Sequence, residues 1–116
     1  MNATINSATA FNCEVTLVDG SANQGATAHC LANGSDLGRG TMDPYATFSF
    51  VTPVVENQRT IMTCDITLGN LHGRFDLFDS NADAQRCALR ALDWRIDENG
   101  LFVLIDHVFV QRYRWT

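Results

Sequence analysis

The sequence predicts an all-β domain, an antiparallel β-sandwich of about eight strands. Apolar and polar residues alternate in several short stretches, which is the period of a strand buried on one face. Gly, Asn, Asp and Pro residues separate these stretches at roughly ten-residue spacing, typical of a sandwich or barrel. Four cysteines in 116 residues add the prediction that two disulfides reinforce the fold.

The length favours a single domain, because half of 116 residues would not enclose an adequate core. Residues 1–11 are small and polar without a period, so they are predicted to form a flexible N-terminal tail before a domain at 12–116. No apolar run approaches the roughly 20 residues of a membrane-spanning helix, and we expect no membrane insertion. We expect a monomer.

The first strand is predicted in CEVTLV, residues 13–18, and the next in ATAHCLA, residues 26–32. Residues 19–25 contain two glycines and read as a hairpin loop between them. If the strands pair symmetrically about that loop, Cys13 lies opposite Cys30 on the same face. This register predicts a Cys13–Cys30 disulfide.

Residues 33–44 carry three glycines, two aspartates and a proline, which predicts a long exposed connection. The strand in YATFSFV, residues 45–51, is predicted to stop at Pro53, because proline lacks a donor for the sheet. The following strand, residues 61–68, places Cys64 in the core.

In the strand RFDLFD, residues 74–79, Phe75 and Leu77 are predicted to point inward and Phe78 outward. Residues 80–91 have a spacing that permits a short helix or an irregular crossover. The last three strands are predicted at 92–96, 101–105 and 107–115, the first two joined by a turn at 97–100. The large side chains predicted to lie inward are Phe48, Phe50, Phe75, Trp94 and Phe102 or Leu104.

The chain has a net charge of −5, and its basic residues, all arginines, are scattered. A nucleic-acid-binding protein needs a concentrated cationic face, so we expect no nucleic-acid partner. The three histidines, at 29, 72 and 107, share no ligand spacing, and Asp76 and Asp79 are best explained as solvated carboxylates. With no nucleophile motif either, we expect neither an enzyme nor a cofactor or metal.

The disulfides predict an oxidising compartment, and therefore secretion. The first residues lack the apolar stretch of a signal peptide, so Met1 is expected to begin a mature chain from which that signal is absent. Asn33-Gly34-Ser35 and Asn2-Ala3-Thr4 are acceptor sequences for N-glycosylation, with Asn33 favoured by its loop context.

Six stretches in order, AHCLANGSDLG, YATFSF, TCDI, FDLFD, RC and LDWRIDENGLFVLI, resemble the plant self-incompatibility protein S1 family, also called S-protein homologues. The resemblance runs from about Cys30 to Trp115. The family's His-Cys pair falls on His29 and Cys30, its Asp-Leu-Gly on 36–38, its Arg-Cys on 86–87 and its later tryptophan on Trp94.

The resemblance implies a small secreted plant β-sandwich with disulfides, the second being Cys64–Cys87. In poppy, members act as stigma-secreted ligands that trigger rejection of self pollen through a pollen membrane partner. We therefore expect an extracellular signalling ligand recognised by a plasma-membrane receptor, in a role similar to self-incompatibility. Variable polar loops would form the contact surface. The expected contact residues are Asn57, Gln58, Arg59, Asn70, His72, Asp97, Glu98 and Asn99.

A secreted carbohydrate- or cell-wall-binding module without catalytic activity is the alternative. It rests on aromatic residues whose face the sequence leaves open and which could form a contact patch. These residues are Tyr45, Phe78, Tyr113 and Trp115.

Overall fold

The computed structural model describes residues 11–55, 57–89 and 92–115, without the side chains of 84–86, 88 and 89. Within these residues the chain forms nine strands and one helix. The strands are β1 (Phe11–Asp19), β2 (Ala26–Ala32), β3 (Ser35–Met42), β4 (Thr47–Val54), β5 (Ile61–Leu68), β6 (Leu71–Asp79), β7 (Leu92–Asp97), β8 (Gly100–Ile105) and β9 (Val108–Tyr113), and the helix is α1 (Ser80–Leu89). Of the predicted tail, only Phe11 lies within the described residues, and it begins β1.

The strands form two sheets that enclose one core. The first has the order β4-β1-β7-β8-β9 and the second β3-β2-β5-β6. All described pairings are antiparallel except that of β1 with β7, which is parallel. The predicted β-sandwich is confirmed, with one parallel pair that the sequence did not indicate.

Alternating inward side chains fill the space between the sheets. Leu17 on β1 and Ile66 on β5 are fully buried, as the period of two predicted. Trp94 is 2 % exposed, and its indole Nε1 donates a hydrogen bond of 2.9 Å to the carbonyl oxygen of Leu77. A buried tryptophan needs such a partner for its N–H, so the ring packs in one orientation.

The predicted β1–β2 hairpin is wrong, because the two strands lie in different sheets. β1 pairs with β4 and β7, and the loop at 20–25 crosses from one sheet to the other. Both strands bury one face, and a period of two does not tell which sheet a strand joins. Backbone bonds hold the start of the crossing to the loop at 43–46 and to β7: Asp19 donates to the Ala46 carbonyl, and Gly20 donates to the Ile96 carbonyl.

The disulfides are Cys13–Cys87 and Cys30–Cys64, so both predicted pairs are wrong although all four cysteines are bridged. Cys30 lies directly opposite Cys64 in the β2–β5 pair, with their Cα atoms 4.1 Å apart. Cys13 points from β1 into the core and meets Cys87 on α1. The Cys13–Cys30 prediction assumed that β1 and β2 form a hairpin. Because β2 lies in the other sheet, Cys30 is not the strand neighbour of Cys13.

The predicted long connection at 33–44 is also wrong, since most of it is β3. Asn33 and Gly34 both have positive φ, as expected for the turn of a tight hairpin with β2. Gly40, within the strand, is covered by the ring of Phe48, and a Cβ there would come within 2.5 Å of that ring. The glycines thus belong to the strand and its packing, which composition alone could not reveal.

Three smaller expectations fail for local reasons. Phe78 is buried because a register shift in the β5–β6 pair turns both Leu77 and Phe78 inward. Pro53 lies inside β4, an edge strand, where a missing N–H is tolerated. In β8 the residues fully buried are Leu101 and Val103, whereas the predicted Phe102 and Leu104 are only half-buried.

The spacing at 80–91 permitted a helix, and α1 occupies most of this segment. The Asp79 carboxylate accepts a hydrogen bond from the backbone of Asn81, and Asp83 accepts one from the backbone of Asp79. These bonds satisfy donors that the first turn would leave unpaired. Among the described residues, no helix is long and apolar enough to cross a membrane.

Candidate recognition surfaces

The strand directions sort the loops to the two ends of the sandwich. The arch end comprises the loops at 20–25, 43–46, 69–70 and 98–99. The helix end comprises the turns at 33–34 and 106–107, the loop at 57–60 and α1. The expected contact residues are therefore divided: Asn57, Gln58 and Arg59 lie at the helix end, and Asn70, Asp97, Glu98 and Asn99 at the arch end.

At the helix end, several polar groups form internal hydrogen bonds. The Arg59 guanidinium forms two bonds to the Asp79 carboxylate, of 3.1 and 2.6 Å. This partner lowers the pKa of Asp79, chiefly through the hydrogen bond. The backbone of Thr60 donates to the Ser80 hydroxyl, and Ser80 donates back to the Thr60 carbonyl. Arg59 thus fixes its loop against α1, while Asn57 and Gln58 stay exposed.

Asn33 joins two of the helix-end segments through its side chain. Its Nδ2 donates to the Arg59 carbonyl and its Oδ1 accepts from the Ile61 backbone, each at 2.9 Å. The nitrogen that would carry a glycan is therefore engaged in a structural bond. Glycosylation of Asn33 stays a prediction, and Asn2 lies outside the described residues.

At the arch end, Ser21 organises the crossing loop. It is fully buried, its backbone donates to Asp19 Oδ1 at 2.8 Å, and its hydroxyl donates to the Glu98 carboxylate. That hydroxyl bond is the main cause that lowers the pKa of Glu98. It also ties the loop at 20–25 to the turn at 98–99.

Three of the four expected contact residues at the arch end are exposed: Asn70, Glu98 and Asn99. Asp97 is 7 % exposed instead. Its carboxylate accepts from the Asn99 backbone at 2.8 Å, and its carbonyl accepts from the Trp115 indole at 2.7 Å. Asp97 therefore supports the turn, and its neighbours present the surface.

The aromatic residues that motivated a carbohydrate-binding module are mostly packed. Phe78 is buried, and Tyr113 stacks on Trp94 with ring centroids 5.9 Å apart. Trp115 meets Phe75 edge-on at 5.6 Å. Of the four proposed residues only Tyr45 is largely exposed, at 67 %. The alternative stays a prediction, without a cluster of exposed rings among them to support it.

His72, expected in a loop, lies in β6 on the outer face of the four-stranded sheet. An open depression of about 590 Å³ lies on this face. One row across its floor is Arg39, His29, Asp65 and Arg74, which are successive neighbours on β3, β2, β5 and β6. The parallel row is Thr41, Thr27, Thr67 and His72. We call these eight residues the outer-face site.

No sequence motif predicted the outer-face site, although its eight residues lie at outward positions of their strands. Arg74 forms two bonds to the Asp65 carboxylate, of 2.9 and 3.0 Å, and the pKa of Asp65 is lowered mainly by this hydrogen bonding. His29 Nε2 lies 3.0 Å from an oxygen of Asp36. The rows form only when four strands assemble in one order, so no local motif announces them.

The described part of the chain offers few side chains for catalysis or for metal binding. All four cysteines are in disulfides, and no group of three or more His, Cys, Asp or Glu residues there is placed to hold a metal ion. The two ends and the outer-face site are surfaces of polar groups suited to recognition.

Comparison with known proteins gives a family but no individual relative. The family model described as plant self-incompatibility protein S1 matches residues 15–115. Neither the curated proteins nor the solved structures include a significant match. The matched region spans both sheets, α1 and three of the four cysteines. The chain therefore belongs to the plant self-incompatibility protein S1 family.

Proposed function

We propose that this protein is a secreted signalling ligand, recognised by a receptor in the plant plasma membrane through its arch end. Membership of the S1 family supports a self-incompatibility-like role. The two disulfides suit an oxidising compartment outside the cell. The observation that carries the proposal is the arch end itself, where exposed polar side chains stand on a hydrogen-bonded frame.

We assign recognition to the arch end because its loops are bonded to one another, Ser21 to Glu98 and the Gly69 backbone to the Gly25 carbonyl. Asn70 and Asn99 expose side chains that form no hydrogen bond within the described residues; Asn57 and Gln58 do the same at the helix end, where Arg59 and Asn33 form internal bonds. A receptor can therefore pair with the arch-end amides without breaking existing bonds. The Ser21 bonds hold the loops in place beforehand, which reduces the entropy lost on binding.

The test is saturable binding of labelled protein to intact plant protoplasts. Replacing both Asn70 and Asn99 by alanine should weaken binding about tenfold or more, the loss expected when interface contacts are removed. The matched control, Gln58→Ala with Asn81→Ala, removes two exposed side chains at the helix end and should retain binding. Circular dichroism would verify that both double variants keep the fold.

A signalling ligand must also elicit a response. The wild-type protein should cause calcium influx or growth arrest in responsive cells, and the arch-end variant should need a correspondingly higher concentration. Absence of saturable binding to every plant membrane preparation tested would refute the receptor proposal. Equal losses in the two double variants would refute the assignment to the arch end.

A further inference from the structure

The outer-face site carries two of the arginines of an acidic protein. The chain has a net charge of −5; the site holds Arg39, Arg74 and Asp65, and Asp36 lies at its edge beside His29 and Arg39. Arg39 and Arg74 stand on the two outer strands of the sheet, three strand spacings or about 14 Å apart. A carboxylate on either side of the floor would thus meet a guanidinium.

Several hydrogen-bonding groups in this site are not used within the protein. Arg39 forms no hydrogen bond or ion pair with the described residues, and Thr41 and His72 form no hydrogen bond with them. Arg74 commits its Nε and one Nη2 hydrogen to Asp65, which leaves other donors of its guanidinium free. These donors are open to solvent and can bind a ligand without breaking an internal bond.

We propose that the outer-face site binds an oligosaccharide that bears carboxylates, a chain of uronic acid units. Arg39 and Arg74 bind the carboxylates, since guanidinium pairs with carboxylate through planar hydrogen bonds. Thr41, the Thr27–Thr67 hydroxyl pair and His72 bind the sugar hydroxyls. The depression lies in the size range of about 300–1,000 Å³ found for ligand sites.

The position of the site on a sheet face favours a saccharide over an acidic peptide. The backbone groups of β2 and β5 are committed to their neighbours on both sides. A peptide strand gains affinity by pairing its main chain with a free sheet edge, which this face does not offer. A saccharide needs only side-chain donors and acceptors, and the two rows supply them.

The direct test is calorimetry of the purified protein with trigalacturonate at low salt. Binding should be seen with the acid and lost with its methyl ester, which keeps the rings and removes the charge. Arg39→Gln should weaken binding about tenfold, as expected for the loss of a charged hydrogen-bonding partner. Arg112→Gln is the matched control, because it makes the same charge change at an exposed residue of the other sheet.

Three outcomes would overturn the proposal: no heat with trigalacturonate, equal binding of the methyl ester, or equal loss in the Arg39 and Arg112 variants. Tighter binding of an acidic peptide, such as tetraglutamate, would overturn the saccharide assignment. None of these results bears on the receptor proposal, which concerns the arch end and is measured on membranes.

Discussion

Among the described residues, Asp19 is a buried carboxylate with one unpaired oxygen. Its side chain is fully buried, its Oδ1 accepts from Ser21, and its Oδ2 has no hydrogen-bond partner among the described residues. Burial is the main cause that raises the pKa of Asp19, and the nearby carboxylates of Glu98 and Asp43 raise it further. Burial at the end of β1 therefore disfavours the charged form of this carboxyl group.

Replacing this aspartate tests that cost. Asp19→Asn keeps an oxygen for the Ser21 amide and removes the buried charge, so it should stabilise the protein at pH 7 by roughly 1 kcal/mol. Denaturant unfolding of both proteins at pH 7 measures the difference. The gain should shrink toward pH 4, where the wild-type carboxyl takes up a proton. A loss of stability at pH 7 would mean that the carboxylate has a stabilising role.

The faces of individual residues could be predicted well wherever a strand is regular. Cys13, Leu17, Ile66 and Trp94 are buried as the period of two requires. Phe78 could not be predicted, because a bulge shifts the period by one residue and leaves no trace in composition.

At the scale of elements, α1 depends on the disulfide that anchors it. It has ten residues, too short to be stable alone in water, and its Cys87 is bonded to Cys13 of β1. The Cys30–Cys64 bridge joins two strands that the sheet already pairs. The two disulfides should therefore have different local effects.

Hydrogen exchange on two double variants would separate these effects. Cys13→Ser with Cys87→Ser should speed exchange in 80–89 selectively, while Cys30→Ser with Cys64→Ser should leave that segment protected. Removing either disulfide should lower the free energy of unfolding by roughly 4 kcal/mol in the chain-entropy model. Protection of 80–89 that survives in the first variant would show that capping and packing suffice for the helix.

The existence of most elements could be predicted, but their pairing could not. The strand at 61–68 is found at the predicted bounds, and the helix falls inside 80–91. The loop at 20–25 has the composition of a hairpin turn and acts as a crossing between sheets, because contacts distant in sequence decide its path. The predicted Cys13–Cys30 disulfide depended on the assumption that this loop is a hairpin turn.

For the whole molecule, carboxylates with opposite pKa shifts predict a stability maximum in mildly acidic solution. Burial raises the pKa of Asp19 and of Asp93, so folding binds their protons more tightly, and their contribution to stability is lost as pH rises through their raised folded-state pKa values. Hydrogen bonds from Arg74 and Arg59 lower the pKa of Asp65 and of Asp79. These two ionised carboxylates stabilise the fold above about pH 4. The stabilisation is lost as pH falls through their lowered folded-state pKa values.

Thermal unfolding between pH 2 and 8 would reveal this profile. The melting temperature should pass through a maximum in mildly acidic solution and fall steeply below about pH 4. In Asp19→Asn the rise should be smaller and the acid fall unchanged. A melting temperature that falls steadily from pH 7 downward would contradict the assigned shifts.

The candidate surfaces could be predicted only in part. Loops at 57–59, 70 and 98–99 were identified by their polar turn residues, but the sequence could not reveal that they occupy opposite ends. The outer-face site joins His29 and Arg74, which are far apart in sequence and flank Asp65 through the β2–β5 and β5–β6 pairings. Such a site depends on strand order, which the alternation of apolar and polar residues does not determine.

The nested disulfides give a decisive check of the whole topology, because the chain has no lysine and trypsin can cut only after arginine. Cys13 and Cys30 share the fragment 1–39, Cys64 lies in 60–74 and Cys87 in 87–90. Without reductant, the observed bridges must link all three fragments into one species. A β1–β2 hairpin with its own bridge would instead release 1–39 alone and join the other two.

A second cut separates the two remaining possibilities. Cleavage after Glu14 divides 1–39 so that each part holds one cysteine. Mass spectrometry should then find 1–14 bonded to 87–90, and 15–39 bonded to 60–74. Because the first bond requires β1 beside α1 and the second requires β2 beside β5, both masses together test the placement of β1 and β2 in separate sheets. A bond between 1–14 and 60–74 would contradict that placement.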